Sequence, residues 1–315
     1  MKKSTRCSCR SSLAVALGIL FLATVLVLHP MASRAGEDPG AEIIPDDALT
    51  APVESAIAQR RAFEKKMSAS RFTIMPHKQN YLLPVTYNSS VNGEPYTETD
   101  RNWDIKEIEV KFQVSFKTPL WERIAGRGTL YAGYTQQSHW QAYNPSASSP
   151  FRETNYQPEI FLTFDSDFPL LGVRNRLITL GFEHQSNGHS EPLSRSWNRL
   201  YAQFAFERGN LYFALRPWYR IPESRSSDDN PDIHKYMGYG DFNAVYTWGA
   251  HRFGLMLRNN FRAENYGAVQ IDWSFPLHPR FDGYIQYFNG YGESLIDYNH
   301  STNRIGVGII IANWL

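Results

Sequence analysis

From about Asn80 onward, apolar and polar residues alternate with period two, in runs of about ten residues separated by turn residues. In "NYGAVQIDWSFP", Val269, Ile271, Trp273 and Phe275 fall on one face of a strand, and Gln270, Asp272 and Ser274 on the other. In "LYAQFAFE", Leu200, Ala202, Phe204 and Phe206 oppose Tyr201, Gln203 and Glu207. In the last run, "NRIGVGIIIANWL", Ile305, Val307, Ile309 and Ile311 oppose Gly306, Gly308 and Ala312, with Ile310 as the apolar exception. The pattern predicts about twelve strands, beginning near residues 80, 106, 128, 155, 175, 195, 210, 235, 251, 265, 280 and 302.

Two all-β architectures fit such alternation: a soluble antiparallel sandwich, and a transmembrane β-barrel with lipid outside and polar groups inside. The strands are long and end in aromatics such as Trp140, Trp218 and Trp248, and the chain ends on a strand with Trp314 and Leu315. An even strand number is also what bacterial barrels require. The expected fold is therefore a twelve-stranded antiparallel transmembrane barrel. Short periplasmic turns, longer extracellular loops and an N-terminal periplasmic segment would complete it.

The N-terminus supports export. "MKKSTRCSCR" is basic, the apolar run Leu13–Leu28 follows, and "ASRA" offers small residues at Ser33 and Ala35. This is the order of a secretory signal peptide, 1–35, cleaved after Ala35. The competing reading is an N-terminal anchor, for which the run is short. Residues 1–35 hold five of the 32 basic residues and none of the 31 acidic ones, so the formal net charge of +1 becomes −4 on cleavage. That balance gives no nucleic-acid signal. Both cysteines, Cys7 and Cys9, leave with the signal, so the exported protein has no disulfide and no thiolate chemistry. Residues 36–78 are polar and rich in Pro, Ala and charge, with a short helix expected near Glu54–Lys66. They read as a partly flexible periplasmic segment, with the barrel over 79–315.

Candidate chemistry sits where parity is least comfortable. In "LITLGFEHQSNG", Ile178, Leu180 and Phe182 share a face, and the same row continues through His184 and Ser186. On the next strand the row Leu200, Ala202, Phe204 runs back to Asn198 and Ser196, across a loop at 188–195. Three polar side chains then meet on the outer wall near one rim, where unpaired polarity is costly and usually functional. His184 would act as general base for Ser186, with Asn198 orienting the imidazole. Gly188 is placed to offer a backbone N–H to an oxyanion. A nucleophile facing outward at a membrane surface has a lipid ester as its substrate. The competing reading of H-x-S-x-G is an ordinary interfacial histidine.

Four segments, "SSPFRETNYQPEIFL", "HQSNGHSEPLSRSWNRLY", "DDNPDIHKYMGY" and "GYGESLIDYNH", resemble the outer membrane phospholipase A family of Gram-negative bacteria over about residues 80–315. The resemblance implies a twelve-stranded barrel in the outer membrane. It also implies a calcium-dependent homodimer that hydrolyses phospholipid acyl esters at either glycerol position. The family's catalytic Ser, His and Asn fall on Ser186, His184 and Asn198. Its calcium ligands fall on Ser148, supplied by the partner subunit, on the His189 carbonyl where the family has Arg, and on Ser194. A second site falls on Asp229 and Glu191, the latter Glu where the family has Asp, which weakens that assignment. Its interfacial Gln falls on Gln136. In "TLYAGYTQQSHW" this residue shares parity with Leu130, Ala132 and Tyr134 and so faces lipid, unless the register slips and turns it to the lumen. The rivals to an enzyme are a non-catalytic barrel, such as a small pore, and a barrel protease. Neither accounts for Ser beside His on the outer wall.

Overall fold

The structure, a computed structural model, describes residues 55–313 apart from 69, 71, 98–103, 225 and 227. The signal segment 1–35 and the terminal Trp314–Leu315 lie outside the described residues. Among the described residues thirteen strands follow one another: β1 (Met75–Pro76), β2 (Asn80–Asn88), β3 (Ile108–Ile124), β4 (Gly128–Trp140), β5 (Phe151–Leu170), β6 (Val173–Ser186) and β7 (Ser196–Arg208). The series continues with β8 (Leu211–Ile221), β9 (Gly240–Trp248), β10 (His251–Asn259), β11 (Gly267–His278), β12 (Phe281–Tyr291) and β13 (Ser301–Ala312). From β2 to β13 each strand pairs antiparallel with its sequence neighbours. β13 pairs back onto β2, Ile305 opposite Tyr87, and closes a twelve-stranded barrel. The short β1 pairs with β3, Met75 opposite Lys117.

Alternation decides which side chains meet lipid. Leu180 and Leu200 are each 50% exposed and Val307 53%, whereas the intervening Glu183, Arg199 and Arg304 are buried in the lumen. A soluble protein rarely shows so continuous an apolar belt, so the sandwich alternative falls. Ile310, which broke the sequence pattern, is 2% exposed and packs inside with Tyr81, Leu83 and Tyr284. One rim carries turns of two or three residues. At Leu171–Gly172 both residues have positive φ, 49° and 81°, as a tight hairpin turn requires. The opposite rim carries the longer loops, among them 187–195 and 222–239.

The lumen is crossed by ion pairs. Lys111 and Arg304 bracket Glu293, at 2.9 Å each, and Arg304 also reaches Glu109 at 2.8 Å. Arg152 bridges Glu109 at 2.7 Å and Asp297 at 3.1 Å. Deeper in, Glu159 meets Lys78 at 3.1 Å and accepts a hydrogen bond from the Tyr201 hydroxyl at 2.6 Å.

Helix α1 (Ala56–Ser68) overlaps the helix expected near Glu54–Lys66. Ser55 caps it, its Oγ accepting from the Ala58 N–H at 3.0 Å. Its buried face, Ile57, Arg61 and Glu64, enters the barrel mouth. There Glu64 pairs with Lys117 at 2.8 Å and Arg61 with Asp165 at 2.7 Å. A cavity of about 290 Å³ remains beside it, inside the barrel.

Candidate active site

The strand pair β6–β7 builds the site by register alone. His184 lies directly opposite Asn198, and Ser186 opposite Ser196. On the other flank Ser186 lies opposite Tyr156 of β5. All follow the outward parity of Leu180 and Leu200. His184 Nδ1 lies 2.9 Å from Asn198 Oδ1. With the proton on Nδ1, the ring donates to the amide and leaves Nε2 as a base. The Asn198 Nδ2 in turn donates to Glu223 Oε1 at 3.1 Å. Ser186 stands two residues from His184 on the same face, roughly 6.5 Å along the strand. Among the described residues no hydrogen bond joins its hydroxyl to His184, whose Nδ1 is engaged with Asn198. A free enzyme commonly shows such loose nucleophile–base geometry.

The inward residues of the same strands fix this wall. Trp197 is fully buried, and its indole N–H donates to Gln185 Oε1 at 2.8 Å. The Arg199 guanidinium stacks 3.9 Å from the Trp197 ring and pairs with Glu183. The outward row of His184, Ser186 and Asn198 is thus backed by a packed polar layer inside.

Beyond Ser186 the chain turns at Gly188, with φ 68°. A β-carbon there would stand a tight 3.1 Å from the Tyr156 ring, and the positive φ favours glycine. The buried Asn187 side chain organises the loop that follows. Its Oδ1 accepts from the Arg195 N–H at 3.0 Å and the His189 N–H at 3.3 Å, and its Nδ2 donates to the Leu193 carbonyl at 2.8 Å. Sequence reasoning passed over Asn187 and Glu223. Both act from loops, where no periodicity marks direction.

The expected calcium ligands divide. Ser194 Oγ donates to Asp229 Oδ2 at 2.6 Å, and Ser196 Oγ to the same oxygen at 3.4 Å. Ser194 and Asp229, assigned to separate sites by sequence, are therefore neighbours. The pair is a hydroxyl against a carboxylate, hard oxygen donors of the kind calcium takes. His189 keeps its ring 3.5 Å from Glu153. Glu191 is exposed. Ser148 is exposed at the end of a short 3-10 turn, Pro145–Ala147, in the β4–β5 loop, and no contact links it to Ser194 within one chain. Among the described residues no three His, Cys, Asp or Glu side chains converge as a metal cluster. Gln136 faces outward between Val114 and Tyr156. It accepts from the Tyr134 hydroxyl at 3.1 Å and donates to Ser138 at 3.2 Å.

Known proteins match most of this chain in sequence and fold. A family model described as phospholipase A1 matches residues 57–311. Phospholipase A1 of Klebsiella pneumoniae is 43% identical over 241 residues, covering 76% of this chain and 82% of its own. An active-site Asn-to-Ala mutant of outer membrane phospholipase A from Escherichia coli superposes with a TM-score of 0.75 at 40% identity, covering 80% of this chain and 98% of its own. The calcium-bound dimer of outer membrane phospholipase from Salmonella typhi gives the same TM-score, identity and coverage.

Proposed function

This chain belongs to the phospholipase A1 family of ester hydrolases, and from that premise we propose that it cleaves phospholipids on its outer wall with Ser186, His184 and Asn198. The observation that carries the reading is the outward His184–Asn198 hydrogen bond at 2.9 Å, one strand step from Ser186, on a face otherwise given to lipid. Ser186 Oγ attacks the acyl carbonyl while His184 Nε2 takes its proton. Gly188 offers its N–H to the oxyanion. As the tetrahedral species collapses, His184 returns the proton to the departing glycerol oxygen, and a fatty acyl ester remains on Ser186. Water, deprotonated by His184, then releases the fatty acid. Asn198 keeps the imidazole in the tautomer this cycle needs.

The cation in this reading is calcium, held by Ser194 Oγ and the His189 carbonyl of one subunit and by Ser148 of a second copy, with Asp229 beside Ser194. Bound there, it would supply positive charge and ordered water next to the developing oxyanion. Asp229 and Glu191 form the second, weaker site of this reading. The substrate class includes both glycerol positions and lysophospholipids, because an outer-wall site meets acyl esters laterally and has no walls of its own. The protein reaches the outer membrane through a cleaved signal at 1–35 and acts as a homodimer through the Gln136 face. A passive pore is disfavoured by the ion pairs that cross the lumen.

The test is fatty acid release from phospholipid–detergent micelles, with calcium and with chelator. Ser186→Ala should keep the heat-modifiable barrel and lose roughly a thousandfold or more in rate. Retention of most of the wild-type rate would remove Ser186 as nucleophile.

A further inference from the structure

We propose that Glu223 is a positioning residue for the hydrolytic centre, an outer fourth member that fixes the Asn198 amide and through it the tautomer of His184. The inference rests on the Ser186–His184–Asn198 reading. Asn198 lies opposite Ile221, the last residue of β8, and Glu223 follows two residues on, in the loop that leaves the strand. That places its carboxylate beside the amide, with Asn198 Nδ2 donating to Oε1 at 3.1 Å.

The chemistry explains why a carboxylate belongs there. The two ends of an asparagine amide are nearly alike in shape, yet only Oδ1 facing His184 holds the proton on Nδ1 and leaves Nε2 as a base. A flipped amide would donate to the ring and put the lone pair on the wrong nitrogen. An ionised carboxylate accepts and never donates, so it admits only Nδ2. Glu223 therefore selects the productive amide orientation, and its charge favours the imidazolium through a polarised amide. Asparagine alone lacks that charge. The other charged groups at this level are directed elsewhere: Asp229 binds Ser194 and Ser196, and Glu183 and Arg199 face the lumen.

The experiment measures kcat and KM on phospholipid micelles at saturating calcium, with heat-modifiable mobility reporting the folded barrel. Glu223→Ala should lower kcat roughly tenfold with KM changed less than twofold. Glu223→Gln, which keeps the shape but can donate as well as accept, should fall between. The decisive readout is a change of sign. In Asn198→Asp the partner has no proton to give and faces a like charge, so adding Glu223→Gln should raise kcat above that of Asn198→Asp alone. A Glu223→Ala enzyme with wild-type kcat, or a Glu223→Gln effect of the same sign in both backgrounds, overturns the proposal. Hydrolysis by Ser186→Ala, measured beside Glu223→Ala, separates the two layers. If Ser186→Ala is dead while Glu223→Ala is unaffected, only the positioning role fails; if Ser186→Ala stays active, the underlying triad fails.

Discussion

At the scale of single residues, Asn187 holds the 187–195 loop by all four of its polar contacts, two accepted N–H groups, the Leu193 carbonyl and a longer donation to Glu153 at 3.3 Å. Removing a buried amide leaves loop groups unsatisfied, at about 1–3 kcal/mol for each group left without a partner. Because His189 and Ser194 ride on that loop, Asn187→Ala should raise the calcium concentration for half-maximal hydrolysis several-fold while Ser186 still reacts with sulfonyl fluoride. A calcium titration that superimposes on wild type would show that the loop is held by other means. The contrast with His184, Ser186 and Asn198 shows what a sequence can reveal. Those three lie on strands, where each side chain's direction follows from its neighbours' by strict alternation. Asn187 and Glu223 lie just past strand ends, where direction depends on turn geometry and on loops distant in sequence. The Ser194–Asp229 contact joins two such loops across 35 residues and was equally illegible.

At the scale of elements, the strands were readable nearly to their ends. The expected starts at 128, 175, 195, 210, 251 and 280 fall within two residues of β4, β6, β7, β8, β10 and β12. The start expected near 235 falls five residues before β9, because the short helix Ile233–Met237, labelled α3 after α1 and the four-residue α2 (Glu94–Thr97), occupies that stretch. Period two says nothing of what enters the barrel, so the placement of α1 was hidden. Its charged face reads as solvated in a sequence, yet Arg61 and Glu64 are buried against Tyr131, Asp165 and Lys117. Burial alone would raise the Glu64 carboxyl, but Lys117, Arg60 and Arg61 outweigh it and hold the group down to about 2. A depressed carboxylate adds stability above its unfolded value near 4.3 that is lost as pH falls toward 2, so α1 should stay docked through mildly acid conditions. Glu64→Ala strands Lys117 in the lumen and leaves Arg61 to Asp165 and Tyr131, and breaking such a buried pair costs about 3–5 kcal/mol. Trypsin should then cut at Lys65 or Lys66 at least ten times faster, while the heat-modifiable barrel persists. Equal cleavage rates in mutant and parent would mean that α1 is held by Ile57 and its neighbours instead.

At the scale of the whole molecule, the proposed calcium site is incomplete within one chain: Ser194 and Asp229 meet, and Ser148 stands on a separate loop facing outward. If Ser148 of a second copy completes it, metal binding and association are linked equilibria, and each must favour the other by the same factor. Calcium should then raise the cross-linked dimer fraction in detergent, and chelator should lower it. Acyl-chain analogues should act in the same direction, since they would lie in the groove between two outer walls. Gln136 tests the apolar part of that contact. In one copy its amide is already satisfied by Tyr134 and Ser138, so pairing with its symmetry mate exchanges bonds instead of adding them. Gln136→Leu should therefore weaken association by only about 1 kcal/mol, as for other hydrogen bonds within membranes, and leave the barrel folded. Ser148→Ala should act differently, flattening the calcium dependence of the dimer fraction and leaving the calcium-free fraction unchanged. Should the dimer fraction ignore calcium in wild type and in both variants, the ion is held within one subunit and Ser148 has no part in it.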